Sequence, residues 1–484
     1  MRAKAIMVLG TTSGAGKSWL TTALCRWYAR LGYTVAPFKA QNMSNNARVV
    51  ESGEIGSAQY FQALAAKTIP TVQMNPILLK PEADTKSQVV LLGKVNRLLS
   101  HMPWRKRSRK LWPIVRESLE SLLNTYQIVI IEGAGSPAEI NLQSSDIVNI
   151  RIARYAKADC LLVTDIDRGG AFAHLYGTWA LLSQEDRQQI RGFVLNKFRG
   201  DASLLSPGPQ KLQKLTGIPT VATLPMWWEH GLPEEDGIID EYPKIDSTVP
   251  TQTIAIVCYP RISNLDEFQP LKNVKHIQLC WARTPRDIDD VDWIILPGSK
   301  QTMNDLKWLR AQGLDRAILA HATAGKRVLG ICGGMQMLGE TLKDPYEKVA
   351  NTIGLGLLPL TTTFKSRKIV RHREMRFTDV AKPWSALSNT LFRGYEIHTG
   401  HTFLRKTSKN PARMVLPNIA WQNEKGNVLG LYLHGLFENP AILQSLLGAT
   451  TPHLETVFDQ LTDFIDQHFQ SGFLKSLVNK GINV

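Results

Sequence analysis

The sequence predicts two α/β units in tandem, each a mainly parallel sheet covered by helices. Three observations carry that expectation. A glycine loop joins a strand to a helix at the N-terminus, short apolar runs alternate with helical stretches through the first half, and a second strand-to-helix turn is built around Cys332. At 484 residues the chain has room for two or three domains, at about 150 residues each. A hydrophobic fraction of 43% and a charged fraction of 20% are those of an ordinary globular protein.

Lys4 to Leu9 reads as a buried strand, and Gly10-Thr11-Thr12-Ser13-Gly14-Ala15-Gly16-Lys17-Ser18 follows it. Leu20, Ala23, Leu24, Trp27 and Leu31 then recur at helical spacing and give the next helix its apolar face. Strand, glycine loop, Lys-Ser and helix is the order a phosphate cradle needs. Backbone N–H groups wrap the phosphates, Lys17 neutralises charge, and the Ser18 hydroxyl reaches Mg²⁺. The spacing departs from the usual one: the first glycine of the pattern falls on Thr11, and Gly10 is one residue early.

Further strands are expected at Thr34 to Phe38, Ile128 to Ile131, Cys160 to Thr164 and Gly192 to Asn196. Ligands bind such sheets beyond the strand ends. Glu132 stands there as a candidate for Mg²⁺ and Asn196 as a reader of a nucleotide base. Asp165, Asp167 and Arg168 stand there too, suited to metal, phosphate or carboxylate alike. Lys39 and Lys80, at strand ends or loops, are candidates for phosphates or a substrate carboxylate. Gly231 to Pro250 is rich in Pro, Gly and acidic residues without periodicity, and the linker is placed at 236–250. The expected units are residues 1–235, 251–445 and a helical tail at 446–484, where Leu454, Val457, Phe458, Leu461, Phe464 and Ile465 keep helical spacing.

The second unit opens with a strand at Thr253 to Cys258 and continues through Trp293–Leu296, Val328–Ile331 and Val428–Leu433. Gly330-Ile331-Cys332-Gly333-Gly334 ends the third of these runs. A lone cysteine is ordinarily a small buried hydrophobe. Glycines on both sides of one, at the end of a strand, instead suit a nucleophile on a sharp turn. His434 closes the last apolar run and is the candidate base. Pro297-Gly298 follows a strand and can place a second N–H near an oxyanion. With these residues the second half resembles the class I glutamine amidotransferases, which release ammonia from glutamine through a cysteinyl thioester. The resemblance assigns Gly298, Gly333 and Gln336 to oxyanion and glutamine binding. Many members carry Glu two residues after the histidine, where this chain has Leu436. That points to a Cys–His pair, with the partner of the imidazole left open, and to tolerance of Leu436→Glu.

Several classes are excluded. No apolar stretch reaches the roughly 18 residues of a membrane span, and the first residues form a strand and loop in place of a signal peptide. Cysteines at 25, 160, 258, 280 and 332 form no Cys-x-x-Cys pair, which argues against a disulfide framework or zinc site and suits a reducing cytoplasm. A net charge of +15 and the run Arg105-Lys106-Arg107-Ser108-Arg109-Lys110 come without a nucleic-acid motif. A solvated helix face or loop is the expected identity of that run, and the excess charge favours anionic small molecules.

The remaining segments are Lys39-Ala40-Gln41-Asn42-Met43-Ser44, Asn75-Pro76-Ile77-Leu78-Leu79-Lys80, Ile131-Glu132-Gly133-Ala134-Gly135, Asp165-Ile166-Asp167-Arg168-Gly169-Gly170, Leu195-Asn196-Lys197 and Gly394-Tyr395-Glu396-Ile397-His398. In this order, with this loop and tail, nearly the whole chain resembles the cobyric acid synthase family. The fold implied is a P-loop NTPase-like domain akin to dethiobiotin synthetase, followed by a class I glutamine amidotransferase domain. The activity implied is amidation of the b, d, e and g carboxylates of adenosylcobyrinic acid a,c-diamide, with glutamine, ATP and Mg²⁺. The nearest alternative is cobyrinic acid a,c-diamide synthase or another glutamine-dependent ligase. A different class is a ParA-like regulatory ATPase with an inactive amidotransferase shell, disfavoured by Cys332, His434 and the lack of a second lysine near Thr11.

Overall fold

The computed structural model describes residues 2–233, 252–345, 351–405 and 412–479, and the linker expected at 236–250 lies outside them. The first half is built on β1 (Lys4–Gly10), β2 (Val35–Phe38), β3 (Ile128–Glu132), β4 (Asp159–Asp165), β5 (Ile190–Phe198) and β6 (Thr220–Pro225). They form one sheet in the order β6-β5-β4-β1-β3-β2, with every neighbour parallel. Along β1 the pleat sends Ala5, Met7 and Leu9 into one core, and Ile6 and Val8 into the core on the other face. Both faces are thus covered, which is why these strands read as unbroken apolar runs. The helix α1 (Lys17–Arg30) lies on one face and brings Leu20, Ala23, Leu24 and Trp27 to that core.

The second half carries β7 (Gln252–Val257), β8 (Ile277–Ala282), β9 (Trp293–Leu296), β10 (Arg327–Ile331), β11 (Arg413–Leu416), β12 (Ala420–Gln422) and β13 (Val428–Leu431). The sheet order is β8-β7-β9-β10-β13-β12-β11. It is parallel from β8 to β13 and antiparallel beyond. A short helix, α2 (Gly333–Leu338), leaves the end of β10.

Sequence reasoning missed β6, β8, β11 and β12, as well as the long antiparallel pair Leu360–Arg376 with Leu391–Leu404. The first strand of that pair, rich in Lys and Arg, is mostly part-buried or exposed and so shows no buried run. The basic run at 105–110 lies on the helix Trp104–Thr125, with Arg105, Lys106, Arg109 and Lys110 on the expected solvated face and Arg107 buried.

The tail helix α3 (Leu454–His468) returns to the first half and packs on α1. Buried Arg26 pairs with Glu455 at 2.7 Å and Asp459 at 2.8 Å, and the Trp27 indole donates to Asp466 at 2.9 Å. These contacts clasp α3 to the C-terminal half of α1.

The candidate active sites

At the first site, the chain leaves β10 and turns into α2 at Cys332, whose φ of 49° and ψ of −106° are unusual for a residue with a side chain. Such strain persists only where surrounding structure enforces it, and it clusters at functional positions. Close packing enforces it here: a Cβ on Gly334 would overlap the Leu296 carbonyl at the end of β9. The elbow is thereby pressed against the turn that carries Gly298, where a Cβ would stand 2.9 Å from Cε1 of His434. Gly298, Gly333, Cys332 and His434 thus meet although they span more than a hundred residues of sequence.

His434 lies just past the end of β13 and is 1% exposed. Its ring lies close enough to the Cys332 sulfur to feel its charge, while the thiol itself sits 3.8 Å from the Ile397 carbonyl. On the other side, Nδ1 donates to Oε1 of Glu267 at 2.9 Å, and Oε2 of the same carboxylate accepts the Gly435 N–H at 3.0 Å. This supplies the missing partner. The expected Cys–His pair is joined by Glu267, from 167 residues upstream, in the arrangement of a triad. A buried carboxylate there fixes the tautomer, leaving Nε2 toward the sulfur. Burial pushes the imidazole down, but the Glu267 carboxylate and the Cys332 sulfur outweigh it and raise His434 to about 10.

Two outcomes follow from that geometry. Glu267→Gln should slow trapping of Cys332 by a glutamine-analogue electrophile by about 10²- to 10⁴-fold. With the carboxylate charge gone, one of the causes that hold His434 up is lost and the imidazolium loses its proton at lower pH. The alkaline edge of trapping, set in the native protein by a His434 value of about 10, should then move down. The expectation for Leu436 is corrected. Its side chain is 0% exposed in the core, so a glutamate there would be cut off from solvent. Leu436→Glu should cost several kcal/mol of stability, read as a lowered thermal midpoint.

Gln336 is buried on α2, accepting from the Thr302 hydroxyl at 3.1 Å and donating to the Tyr432 hydroxyl at 3.4 Å. His398 is engaged elsewhere, with Nε2 2.9 Å from Glu396 and Nδ1 2.8 Å from the Gly400 carbonyl.

The second site is a cavity of about 380 Å³ at the strand ends of the first sheet. Ser13, Gly14, Gly16, Lys17 and Ser18 line it, while Gly10, Thr11, Thr12 and Ala15 of the same loop do not. Gly16 caps α1 at φ 98°. A side chain there would be strained, and its Cβ would collide with the Asn196 amide. Thr11 needs no such freedom: its hydroxyl bonds that of Thr164 at 2.9 Å, which accounts for the irregular glycine spacing. Lys17 Nζ donates to the Thr12 carbonyl at 2.9 Å, and Asn196 Nδ2 to the Ala15 carbonyl at 2.9 Å. Asn196 therefore braces the loop as well as lining the cavity.

Glu132 ends β3 with 0% exposure. It accepts from the Ser18 hydroxyl at 2.8 Å, Lys39 Nζ at 2.7 Å and Gln62 Nε2 at 2.5 Å. Ser18 and Glu132 are hard oxygen donors on the cavity wall, a set that fits Mg²⁺. Among the described residues no cluster of three His, Cys, Asp or Glu side chains could hold a metal by itself, so phosphate oxygens and water would complete the shell. Asp165, Asp167 and Arg168 also line the cavity, with Asp165 3.1 Å from Lys197 Nζ and Asp167 paired to Arg199. Lys80 does not join them. It is buried in an ion pair with Glu54 at 2.6 Å, and Lys368 of the second half pairs with the same carboxylate. Burial drags Lys80 down to about 7 despite Glu54.

Sequence reasoning also missed Gln59, Gln62 and Glu54. Their side chains are buried at 2% exposure or less and make these contacts only across folded elements. Among the described residues no helix is long and apolar enough to cross a membrane, and all five cysteines are free.

A phosphate cradle on one sheet and a thiol elbow on another define an enzyme class. The family described as CobQ/CobB/MinD/ParA nucleotide binding domain matches residues 6–232, and the CobB/CobQ-like glutamine amidotransferase domain matches residues 253–442. The protein is a glutamine-dependent amide ligase. The cobyric acid synthase of Variovorax paradoxus is 64% identical, covering 99% of this chain and 100% of that one. Those of Polaromonas naphthalenivorans and Polaromonas sp. are 63% and 61% identical, each covering at least 98% of both chains. The chain belongs to the cobyric acid synthase family.

Proposed function

We propose that this enzyme makes adenosylcobyric acid in cobalamin biosynthesis. It amidates the b, d, e and g side-chain carboxylates of adenosylcobyrinic acid a,c-diamide, using ATP and the amide nitrogen of glutamine. The observation that carries this reading is the pairing of a strained Cys332 elbow with His434 and Glu267, in the same chain as the Lys17 loop and its Ser18–Glu132 contact. Relatives named cobyric acid synthase supply the substrate class.

In the amidotransferase half, His434 Nε2 takes the Cys332 proton, and the sulfur attacks the side-chain amide carbon of glutamine. The Gly298 and Gly333 N–H groups receive the oxyanion. The imidazolium returns its proton to the departing ammonia, leaving a thioester. Water, deprotonated by His434, then releases glutamate and restores the thiol. Glu267 stabilises the imidazolium at each of these points.

In the nucleotide-binding half, ATP is a substrate. The carboxylate oxygen attacks the γ-phosphorus, ADP leaves, and an acyl phosphate forms. Ammonia attacks the acyl carbon, and phosphate departs as the amide forms. Lys17 and the loop N–H groups hold phosphate oxygens. Ser18 and Glu132 would hold Mg²⁺, which neutralises phosphate charge when bound. Most ammonia at neutral pH is protonated and cannot attack, so delivery from Cys332 is chemically favoured over supply from solution.

The test offers cobyrinic acid and its a,c-diamide separately, with ATP, Mg²⁺ and glutamine labelled with ¹⁵N in the amide. Label is expected at b, d, e and g of the a,c-diamide only. Labelling of cobyrinic acid at a and c would reassign the enzyme to the preceding amidation.

A further inference from the structure

We infer that Arg48, a residue of the nucleotide-binding half, is a positioning residue of the glutaminase and completes the Cys332 site from across the interface. The inference rests on the glutaminase reading above. Arg48 lies on the strand Ala47–Val50 and is 3% exposed. Its Nε donates to Asp266 at 2.7 Å, Nη2 also meets Asp266, and Nη1 donates to Glu438 at 2.7 Å. The guanidinium stands 5.1 Å from the centre of the Tyr395 ring.

Each of these partners borders the catalytic imidazole. Asp266 immediately precedes Glu267 on the short turn Leu265–Phe268. Glu438 closes the turn that begins with Gly435, whose N–H Glu267 holds. Tyr395 stacks on His434 at 5.3 Å and 22°, and the two residues exchange main-chain hydrogen bonds of 2.9 and 3.3 Å. One guanidinium thus grips the acid's turn, the turn after the base, and the ring against the base.

Neighbouring residues fasten the same turn. The Asn264 side chain accepts the Ala47 N–H at 3.1 Å, and the Leu265 N–H donates to Asn46 at 3.0 Å. Upstream on the same segment, Asn42 and Met43 line the nucleotide cavity. Asn42 donates to Gln59 at 3.1 Å, and Gln59 donates to Glu132 at 3.4 Å. The stretch from Asn42 to Arg48 therefore touches both active sites. A planar fork suits this place, because it engages two carboxylates in fixed directions while lying over a ring. Burying one cation with two anions is weak evidence for a stabilising role by itself. The convergence on Glu267 and His434 is what favours positioning.

The test uses the full-length enzyme with Arg48→Met, Arg48→Lys and Asp266→Asn. Arg48→Met should lower the kcat of glutamine hydrolysis by about 100-fold, the usual penalty for a small misplacement of a catalytic group. KM for glutamine should stay near its native value, and ammonia-dependent amidation should fall far less than glutamine hydrolysis. Arg48→Lys should recover part of the kcat, since an ammonium keeps the charge and loses the fork. If Arg48→Met does not fold, the two volume-conserving variants carry the same readout. An equal fall of glutamine- and ammonia-dependent turnover would make Arg48 a structural residue and overturn the inference. So would an unchanged glutaminase kcat in all three variants. Native enzyme that hydrolyses no glutamine, or that loses nothing in Cys332→Ser, would instead overturn the glutaminase reading itself and this one with it.

Discussion

Cys332→Ser is expected to abolish glutamine-dependent amidation while leaving ammonia-dependent amidation largely intact. The nucleophile sits on the second sheet and the phosphate loop on the first, so removing the sulfur leaves Lys17, Ser18 and Glu132 untouched. A serine hydroxyl at the same elbow is a far weaker attacking group, and loss of a nucleophile acting in a unit costs on the order of 10⁵-fold or more. Packing should survive, because the side chain is nearly isosteric and 6% exposed. The measurement is product formation with glutamine, and then with ammonium salts at alkaline pH, where free ammonia is plentiful. Equal loss with both nitrogen sources would show that Cys332 serves folding or the other site.

Lys17→Ala should do the reverse in one respect and more in another. Amidation should fall with either nitrogen source, by about 10²- to 10³-fold, because a fixed charge opposite the phosphates is lost. Basal glutamine hydrolysis should persist in part. Lys17 is 7% exposed, and its chain packs over Gly10, where a Cβ would stand 2.9 Å from Cδ of the lysine. The alanine thus removes packing as well as charge, so thermal unfolding of the variant must be compared with native. Native turnover with ammonia in this variant would end the phosphate-loop assignment.

Both of these sites were legible from short stretches of sequence. The loop from Gly10 to Ser18 and the elbow from Gly330 to Gly334 each encode their turn within about ten residues, through glycine placement and the flanking apolar strand. The placement of Glu132 was legible for a similar reason, since it ends a strand whose apolar run points at it, and Asn196 follows an apolar run in a strand that continues to Phe198. Glu267 was not. It sits in Leu265-Asp266-Glu267-Phe268, far upstream of His434, with no flanking pattern that marks an acid for an imidazole. The one available signal was negative: Leu436 stands where a carboxylate was expected, so an acid had to come from elsewhere. Lys80 illustrates the opposite error. A lysine near a strand end looks available until Glu54 folds beneath it and Lys368 arrives from the other half.

The sequence by itself determined the two units and the sheets that bear them, because tight turns and buried parallel strands are dictated by neighbouring residues. Only the tertiary structure decided which acid reaches His434, where Lys80 is spent, and that Arg48 of one half bears on the catalytic base of the other. Those contacts join residues more than a hundred positions apart, apart from the 26 between Glu54 and Lys80. The physical reason is that burial selects ion-pair partners by where packed sheets bring them. A charge taken from water must find its counter-charge in the folded molecule, and nothing in the adjacent sequence records which one it finds.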